Sequence, residues 1–397
     1  MPSPSMPEDR PYTRSHPFLT FEVPFGEGDP MIWMLLGEAQ SKCDHIARTP
    51  LLPGVRQEME KLYLAKGVNA TTAIEGNTLS EEEVRKRLDG ELPLPRSREY
   101  LGQEVDNIHR AVGRIPELLA AQGHTDVTPQ IICEYNRLVL EGLNDVANDI
   151  VPGEIRKHGV EVGGYVGPPH EDCHFLVERL CEWLRSPGGW PQGLDGISEA
   201  LLKAVFAHLY LAWIHPFGDG NGRTARLIEV HILAGAGVPR PVAHLLSNHY
   251  NQTRSMYYQQ LERAQRTGRS GPLEFLRYAL QGMVDGMKDQ LEWVRGQVNA
   301  LTWMQFVYAA FHDKPGTVEN RRREVALALM GRGAVAAKDI RTLTPEVAQK
   351  YGDRGDRAVV RDLKILEDEE LVVRTEDGKW RGNLDLLERL LPARAVR

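Results

Sequence analysis

His215-Pro216-Phe217-Gly218-Asp219-Gly220-Asn221-Gly222-Arg223-Thr224-Ala225-Arg226 sets the architecture to be expected of this chain. The stretch joins two apolar segments. Before it, Leu201, Leu202, Val205, Leu209, Ala212 and Trp213 recur at helical spacing, so Gly196 to Ile214 reads as a core helix. After it, Asn221 to about Gly235 is similarly apolar. Gly218, Gly220 and Gly222 let the linking loop turn tightly with its N–H groups inward, and the second helix adds its positive end, which makes an anion-binding nest. Arg223 and Arg226 stand three apart on one side of that helix's first turn and suit a polyphosphate. Asp219 can hold Mg²⁺ against phosphate oxygens. His215, at the end of the preceding helix, is placed to accept a proton from an incoming nucleophile. Each feature alone has a bland explanation: a plain turn, a structural histidine, a solvated arginine pair. Their convergence in one short loop points to nucleotidyl or phosphoryl transfer with Mg²⁺.

Outward from this loop the chain is mainly helical. Helices are expected at about Met31 to Arg48, ended by Pro50 and Pro53, and at about Gly54 to Thr72. Glu75 then closes a helix that Gly76-Asn77 stops. Ser80 caps the next helix with Glu83 completing a capping box, and Pro93 and Pro95 end that segment. A long helix is expected from about Arg98 to Ala121, and another from Thr128 as cap and Pro129 to about Leu143. Between Val151 and Pro169 the glycines at 153, 159, 163, 164 and 167 surround Val160, Val162 and Val166, which reads as a short β-hairpin. A helix resumes at about Cys173 to Arg185. His170, Cys173 and His174 have a spacing open to a metal, but no further ligand cluster accompanies them, and a loop entering a helix explains them. Residues 1–29, with six prolines and little periodicity, read as an extended, partly disordered arm.

The twelve-residue string resembles the signature of the Fic/Doc family, His-x-Phe-x-[Asp/Glu]-Gly-Asn-Gly-Arg-x-x-Arg, at every specified position. Pro152-Gly153-Glu154-Ile155-Arg156 is similar to the stretch that opens that family's β-hairpin flap, and Tyr257-Tyr258 lies where such proteins carry a tyrosine pair near the adenine, with Gln265 at a position that is often Asn. The resemblance covers about residues 30–290 and implies a mainly α fold: a Fic-type helical bundle with a short hairpin flap. Such proteins mostly transfer AMP from ATP to a Ser, Thr or Tyr hydroxyl of a target protein. It further implies that His215 deprotonates the hydroxyl and that Asp219 holds Mg²⁺ between the α- and β-phosphates. Asn221, with the backbone at Gly220 and Gly222, would steady the α-phosphate, and Arg223 and Arg226 would orient the β- and γ-phosphates. The flap (Val160, Glu161, Val162, Gly163, Gly164, Tyr165 and Val166) would pair with an extended target segment by strand addition.

Thr71-x-x-x-Glu75-Gly76-Asn77 resembles the family's inhibitory motif. By that resemblance Glu75 pairs with Arg226 and withholds it from the γ-phosphate: two anions compete for one guanidinium. The same glutamate could position water and run the reverse reaction, removal of AMP. A different donor nucleotide, such as UTP, GTP or CDP-choline, also stays open, as does a regulator whose Fic core only senses nucleotide. A homodimer is an implied partner, because self-inhibition in such proteins is often coupled to assembly.

The last 85 residues or so form a separate module, with 18 Lys/Arg against 16 Asp/Glu. Helices at about 319–331, 336–341 and 355–369, then two short strands around Asp377-Gly378, give a winged-helix order. Arg357, Arg361 and Lys364 make a basic stripe on the third helix, where a DNA-reading helix would carry it. Glu367-Asp368-Glu369-Glu370 follows at once, which favours a partner-binding or dimer-forming role over DNA. Arg321-Arg322-Arg323 reads as a solvated face. The domains expected are therefore the arm at 1–29, an N-terminal helical region with the inhibitory motif at 30–97, the catalytic core and trailing helices at 98–300, and the winged-helix domain at 313–391.

The whole chain has 397 residues, 42% hydrophobic and 26% charged, with net charge −7. That balance argues against a surface coated in basic residues for nucleic acid. Cys43, Cys133, Cys173 and Cys181 form no C-x-x-C pair and fit a reducing compartment. The N-terminus shows no secretory signal, and the longest apolar stretch, Ala200 to Ile214, reads as too short to span a bilayer. A soluble, cytoplasmic protein without a membrane partner is expected.

Overall fold

A computed structural model describes residues 10–24, 29–122, 126–143, 147, 149–268 and 270–389. The fold is mainly α. In chain order the N-terminal elements are α1 (Pro11–Ser15), α2 (Pro30–Arg48), α3 (Pro53–Ala73), α4 (Glu81–Leu88), α5 (Glu99–Gln122) and α6 (Pro129–Leu140). A two-stranded hairpin follows, β1 (Glu161–Val162) and β2 (Tyr165–Val166), and then α7 (His170–Arg185), α8 (Gly196–Ile214), α9 (Asn221–Gly235), α10 (Arg240–Ala243), α11 (Leu245–Gln252), α12 (Arg254–Arg266) and α13 (Ser270–Ala310). The chain divides into two compact units, Met1–Leu291 and Glu292–Arg397, so the division falls inside the long helix α13.

In the first unit α8 and α9 are the central pair. Ala200, Leu202, Phe206, Leu209 and Ile214 of α8 and Ala225, Ile228 and Leu233 of α9 are buried. Helix α8 has 19 residues and is long and apolar enough to cross a membrane. It begins at Gly196, four residues before the apolar stretch from Ala200 to Ile214. Its apolarity serves packing, since most of it lies buried inside the bundle. The caps behave as the sequence suggests: Ser80 and Glu83 form a capping box at α4, and the Thr128 hydroxyl accepts from Ile131 N at α6. Asp195, which the sequence reading did not single out, caps α8 by accepting from Ile197 N and Ser198 N.

The N-terminal arm is a correction. Residues 10–24 are not loose: Tyr12, Leu19 and Phe21 are buried. Asp172 at the start of α7, itself 1% exposed, accepts from Tyr12 N (2.8 Å) and Arg10 Nη1 (3.1 Å), and Phe21 N donates to the Tyr210 hydroxyl (3.0 Å). Residues 1–9 and 25–28 of the arm lie outside the described residues.

The second unit holds α14 (Thr317–Ala328), a 3₁₀ turn (Ala337–Thr342), α15 (Pro345–Tyr351), α16 (Asp356–Asp368), the antiparallel pair β3 (Val372–Arg374) and β4 (Trp380–Gly382), and α17 (Asp385–Arg389). Trp303, Val325, Ile340, Tyr351, Leu363 and Trp380 belong to its core. Residues 390 and 391 of the expected winged-helix domain lie outside the described residues. Arg357, Arg361 and Lys364 are exposed on α16. The Arg321 triplet is not a solvated face. Arg321 is 1% exposed and Nε donates to Asp362 Oδ2 at 2.7 Å, while Arg322 Nε donates to the other oxygen at 3.1 Å. The Tyr351 hydroxyl donates to Oδ2 as well, so a buried carboxylate, 0% exposed, is satisfied from three sides.

Candidate active site

Helix α8 ends on His215, whose φ of 46° is left-handed, and Gly220 at φ 75° caps α9. Between these two turns the reactive loop is braced from within. Asn221 spends both ends of its side chain on one residue: Oδ1 accepts from Phe217 N (2.9 Å) and Nδ2 donates to Phe217 O (2.8 Å). The side chain expected on a phosphate is therefore a strut of the loop. Gly218 lies against Ile150, with no room for a Cβ. Asn136 of α6 holds the loop from outside, donating to Asp219 O (2.8 Å) and accepting from Gly153 N (2.9 Å).

Among the described residues, the N–H groups of Asn221, Gly222 and Arg223 have no hydrogen-bond partner. They are the free donors of a helix N-terminus, and they make an anion site. A carboxylate already stands there. Glu75, in the turn after α3, would overlap a Cβ on Gly222, and its Oε1 lies 2.5 Å from Arg226 Nη2. The same nitrogen donates to Thr71 O at 2.9 Å. Arg226 is 1% exposed, and its Nε and Nη1 have no partner among the described residues. A buried guanidinium with two idle donors is costly as it stands, and a further anion would satisfy them. Burial would raise the Glu75 carboxyl, but Arg226, with Arg223 and His215, holds it below the usual carboxylate range.

Arg223 spans two carboxylates, with Nη1 3.2 Å from Glu104 Oε1 and Nη2 3.2 Å from Asp219 Oδ1. Asp219 is 44% exposed, and Gly220 N also donates to its Oδ1; among the described residues nothing bonds Oδ2. One partly open carboxylate beside an anion nest fits Mg²⁺, which is bound through one or two carboxylates plus substrate phosphates. Glu104, on α5, was not legible beforehand. Its other oxygen accepts from Asn77 Nδ2 at 2.7 Å. Burial, above all, pushes its carboxyl up, against the pull of Asn77 and Arg223. His170, Cys173 and His174 join no metal-binding cluster among the described residues.

Nδ1 of His215 donates to Ala212 O (3.3 Å), which leaves Nε2 as acceptor. Burial lowers the imidazole's pKa below its ordinary value. The hairpin lies beside it. Glu161 pairs with Val166 and Val162 with Tyr165 around Gly163-Gly164, and Val162 and Val166 are exposed. Arg156 clamps the hairpin's base, with Nη1 on His158 O (2.7 Å), Nη2 on Pro168 O (2.6 Å) and Nε on His215 O (2.8 Å). The sequence marked Arg156 only as the opening of the flap. The N-terminal segment reaches the hairpin too, where His16 Nε2 donates to Val166 O at 2.9 Å.

Together these parts line a cleft of about 660 Å³, with Phe18, Glu75, Gly163, Gly164, His215, Gly222, Tyr257, Tyr258 and Gln265 on its walls. Tyr257 is buried and its hydroxyl bonds His208 Nε2 (2.8 Å). Tyr258 is half-exposed, and its hydroxyl donates to Ile74 O (3.2 Å), next to Glu75.

Residues 126–233 match the model of the Fic/DOC family. Over 205 residues, 52% of this chain, the sequence is 31% identical to protein adenylyltransferase Fic of Drosophila willistoni and 30% identical to that of Drosophila melanogaster. The chain spans only 36% and 37% of the length of those two relatives. Among solved structures, a Fic family protein from Desulfovibrio desulfuricans superposes with a TM-score of 0.55 at 20% identity, over 91% of this chain and 98% of that one, which speaks to the fold alone. Fic-1 of C. elegans superposes with a TM-score of 0.54 at 26% identity, over 67% of this chain and 73% of that one.

Proposed function

We propose that this chain, in which residues 126–233 form a Fic/DOC-family domain, is a self-inhibited protein adenylyltransferase that moves AMP from ATP to a hydroxyl side chain of a target protein. The observation that carries the proposal is the Glu75–Arg226 contact at the N-terminus of α9, in the same cleft as His215. A carboxylate holds the place of a phosphate, and a buried arginine keeps two donors in reserve.

With Glu75 withdrawn, the free N–H groups of α9 receive the α-phosphate, and Arg223 and Arg226 take the outer phosphates. The adenine lies against Tyr257, Tyr258 and Gln265. Asp219 would hold Mg²⁺, which supplies positive charge to the phosphates. His215 Nε2 takes the proton of the target hydroxyl as its oxygen bonds the α-phosphorus. The bond from that phosphorus to the α–β bridging oxygen breaks, and pyrophosphate leaves with the electron pair. The hairpin between His158 and Pro168 receives an extended segment of the target by strand addition. The C-terminal unit is read as a winged-helix module for a protein partner, with an exposed but short basic stripe.

Intact mass spectrometry after incubation with Mg·ATP tests this on wild type, Glu75→Gly and Glu75→Gly/His215→Ala. AMP is expected on Glu75→Gly alone. Equal modification of all three, or of none while Glu75→Gly binds ATP, counts against the proposal, and an AMP-modified substrate in the same assay reads the reverse reaction.

A further inference from the structure

Arg223 stands between two unequal carboxylates. Asp219 is 44% exposed and anchored through one oxygen. Glu104 is 18% exposed and cannot swing, because Asn77 Nδ2 holds its far oxygen at 2.7 Å. Asn77 is itself pinned, donating to Leu101 O (3.0 Å) and accepting from Leu79 N (3.0 Å). The order Asn77–Glu104–Arg223–Asp219 thus runs from the turn that carries Glu75 to the carboxylate that fits a metal ion. It parallels the direct contact of Glu75 with Arg226, so that turn reaches both arginines at the start of α9.

We propose that Glu104 is a positioning residue: it keeps Arg223 in place when Asp219 exchanges its arginine partner for Mg²⁺. The inference rests on the function proposed above. A divalent ion entering at the open Oδ2 of Asp219 repels the guanidinium held on Oδ1 and loosens Arg223 from that carboxylate. If Asp219 were the only anion beside Arg223, the arginine would either block the ion or be expelled by it. Glu104 supplies a second anion on a fixed support, so Arg223 releases Asp219 without leaving the cleft and remains aimed at phosphate. Removing the Glu104 charge drives Arg223 back onto Asp219. The loss then falls on the metal and not on the nucleotide.

The test uses the full chain carrying Glu75→Gly, with and without Glu104→Gln, an isosteric change that removes the charge. Mn²⁺ binding in the presence of α,β-methylene-ATP is followed by electron paramagnetic resonance, and binding of the same nucleotide is measured in EDTA. The Mg²⁺ dependence of AMP transfer is recorded beside them. Glu104→Gln is expected to raise the Mn²⁺ dissociation constant and the half-saturating Mg²⁺ each by about tenfold, the scale on which outer partners of metal ligands act. Nucleotide binding in EDTA is expected to stay within about twofold. Asn77→Ala, which loosens Glu104 without touching its charge, is expected to shift Mn²⁺ affinity in the same direction. Unchanged Mn²⁺ affinity overturns the proposal. So does an equal loss of nucleotide binding in EDTA, which is what a merely structural role would produce. If Glu75→Gly transfers no AMP yet binds Mn²⁺ with the nucleotide, the enzymatic reading fails while the resonance measurement still decides the role of Glu104.

Discussion

Glu75 fills the space that a side chain on Gly222 would need, since a Cβ there overlaps its Oε1. The carboxylate and a phosphate therefore cannot share the first turn of α9. Glu75→Gly is expected to raise AMP transfer at least tenfold, by clearing the space before the unpaired N–H groups and freeing Arg226 together, a change worth about 1.4 kcal/mol or more. Gly222→Ala also evicts Glu75, but it leaves a methyl group where the phosphate goes. It is expected to remain inactive and to lose ATP binding by calorimetry, even in the Glu75→Gly background.

The acid limb of activity follows from His215. Burial lowers its pKa below the ordinary 6.5, so the neutral, proton-accepting form already dominates at neutral pH. For Glu75→Gly, the rate is expected to rise with pH through a value below 6.5 and to be flat from pH 7 to 8. The stability linkage has the same sign: the imidazole's cost appears as pH falls below 6.5 and is absent above it. A midpoint at or above 6.5 in the pH–rate profile would contradict this.

Mild acid should not release the inhibition. The Glu75 pKa is held below its ordinary 4.5, so its pairing with Arg226 is complete above that value and is lost only as pH falls through the lower, folded one. Wild type is expected to stay silent at pH 5, with ATP binding no tighter than at pH 7. Activation of wild type at pH 5 would mean that Glu75 is not the lock.

Arg156 holds three carbonyls with one planar fork and is 4% exposed. Arg156→Ala strips charged hydrogen bonds from His215 O, His158 O and Pro168 O at once and is expected to cost about 3 kcal/mol in denaturant unfolding. Arg156→Lys keeps the charge but not the fork, so it should restore little. A full rescue by lysine would show that charge alone matters there.

The reactive loop could be read from sequence because its parts are contiguous, and glycine, arginine and histidine at those spacings leave few local alternatives. Glu75 was legible for the same reason, as part of a short string ending in Gly76-Asn77. Glu104 was not: it is one carboxylate on an amphipathic helix, and its partner Arg223 is 119 residues away. Nothing near it distinguishes it from a surface glutamate. Arg321 misled in the opposite sense. Three consecutive arginines suggest solvent, but the first of them turns inward to Asp362, which lies 41 residues on. The N-terminal segment has too few apolar residues to announce a core. What holds it is Asp172, 160 residues from Tyr12, and such long-range pairings are set by the fold and not by local pattern.

Asn221 separates two accounts of the same residue. The family resemblance puts it on the α-phosphate, whereas both ends of its side chain are engaged with Phe217. A phosphate ligand replaced by alanine would weaken ATP binding and leave thermal stability unchanged. A loop strut replaced by alanine leaves Phe217 N and O unpaired in a buried place, which costs about 1–3 kcal/mol. Phe217 is 1% exposed, so water cannot easily take over those bonds. Asn221→Ala is therefore expected to lower the melting temperature by several degrees and to impair ATP binding and catalysis together. Asn221→Asp is the sharper variant: it can still accept from Phe217 N but cannot donate to Phe217 O, and it sets a new negative charge at the N-terminus of α9. That charge suits the helix end but opposes a phosphate there, so Asn221→Asp should recover part of the lost stability and none of the activity. Recovered activity in Asn221→Asp, or a melting temperature untouched in Asn221→Ala, would return the residue to the phosphate.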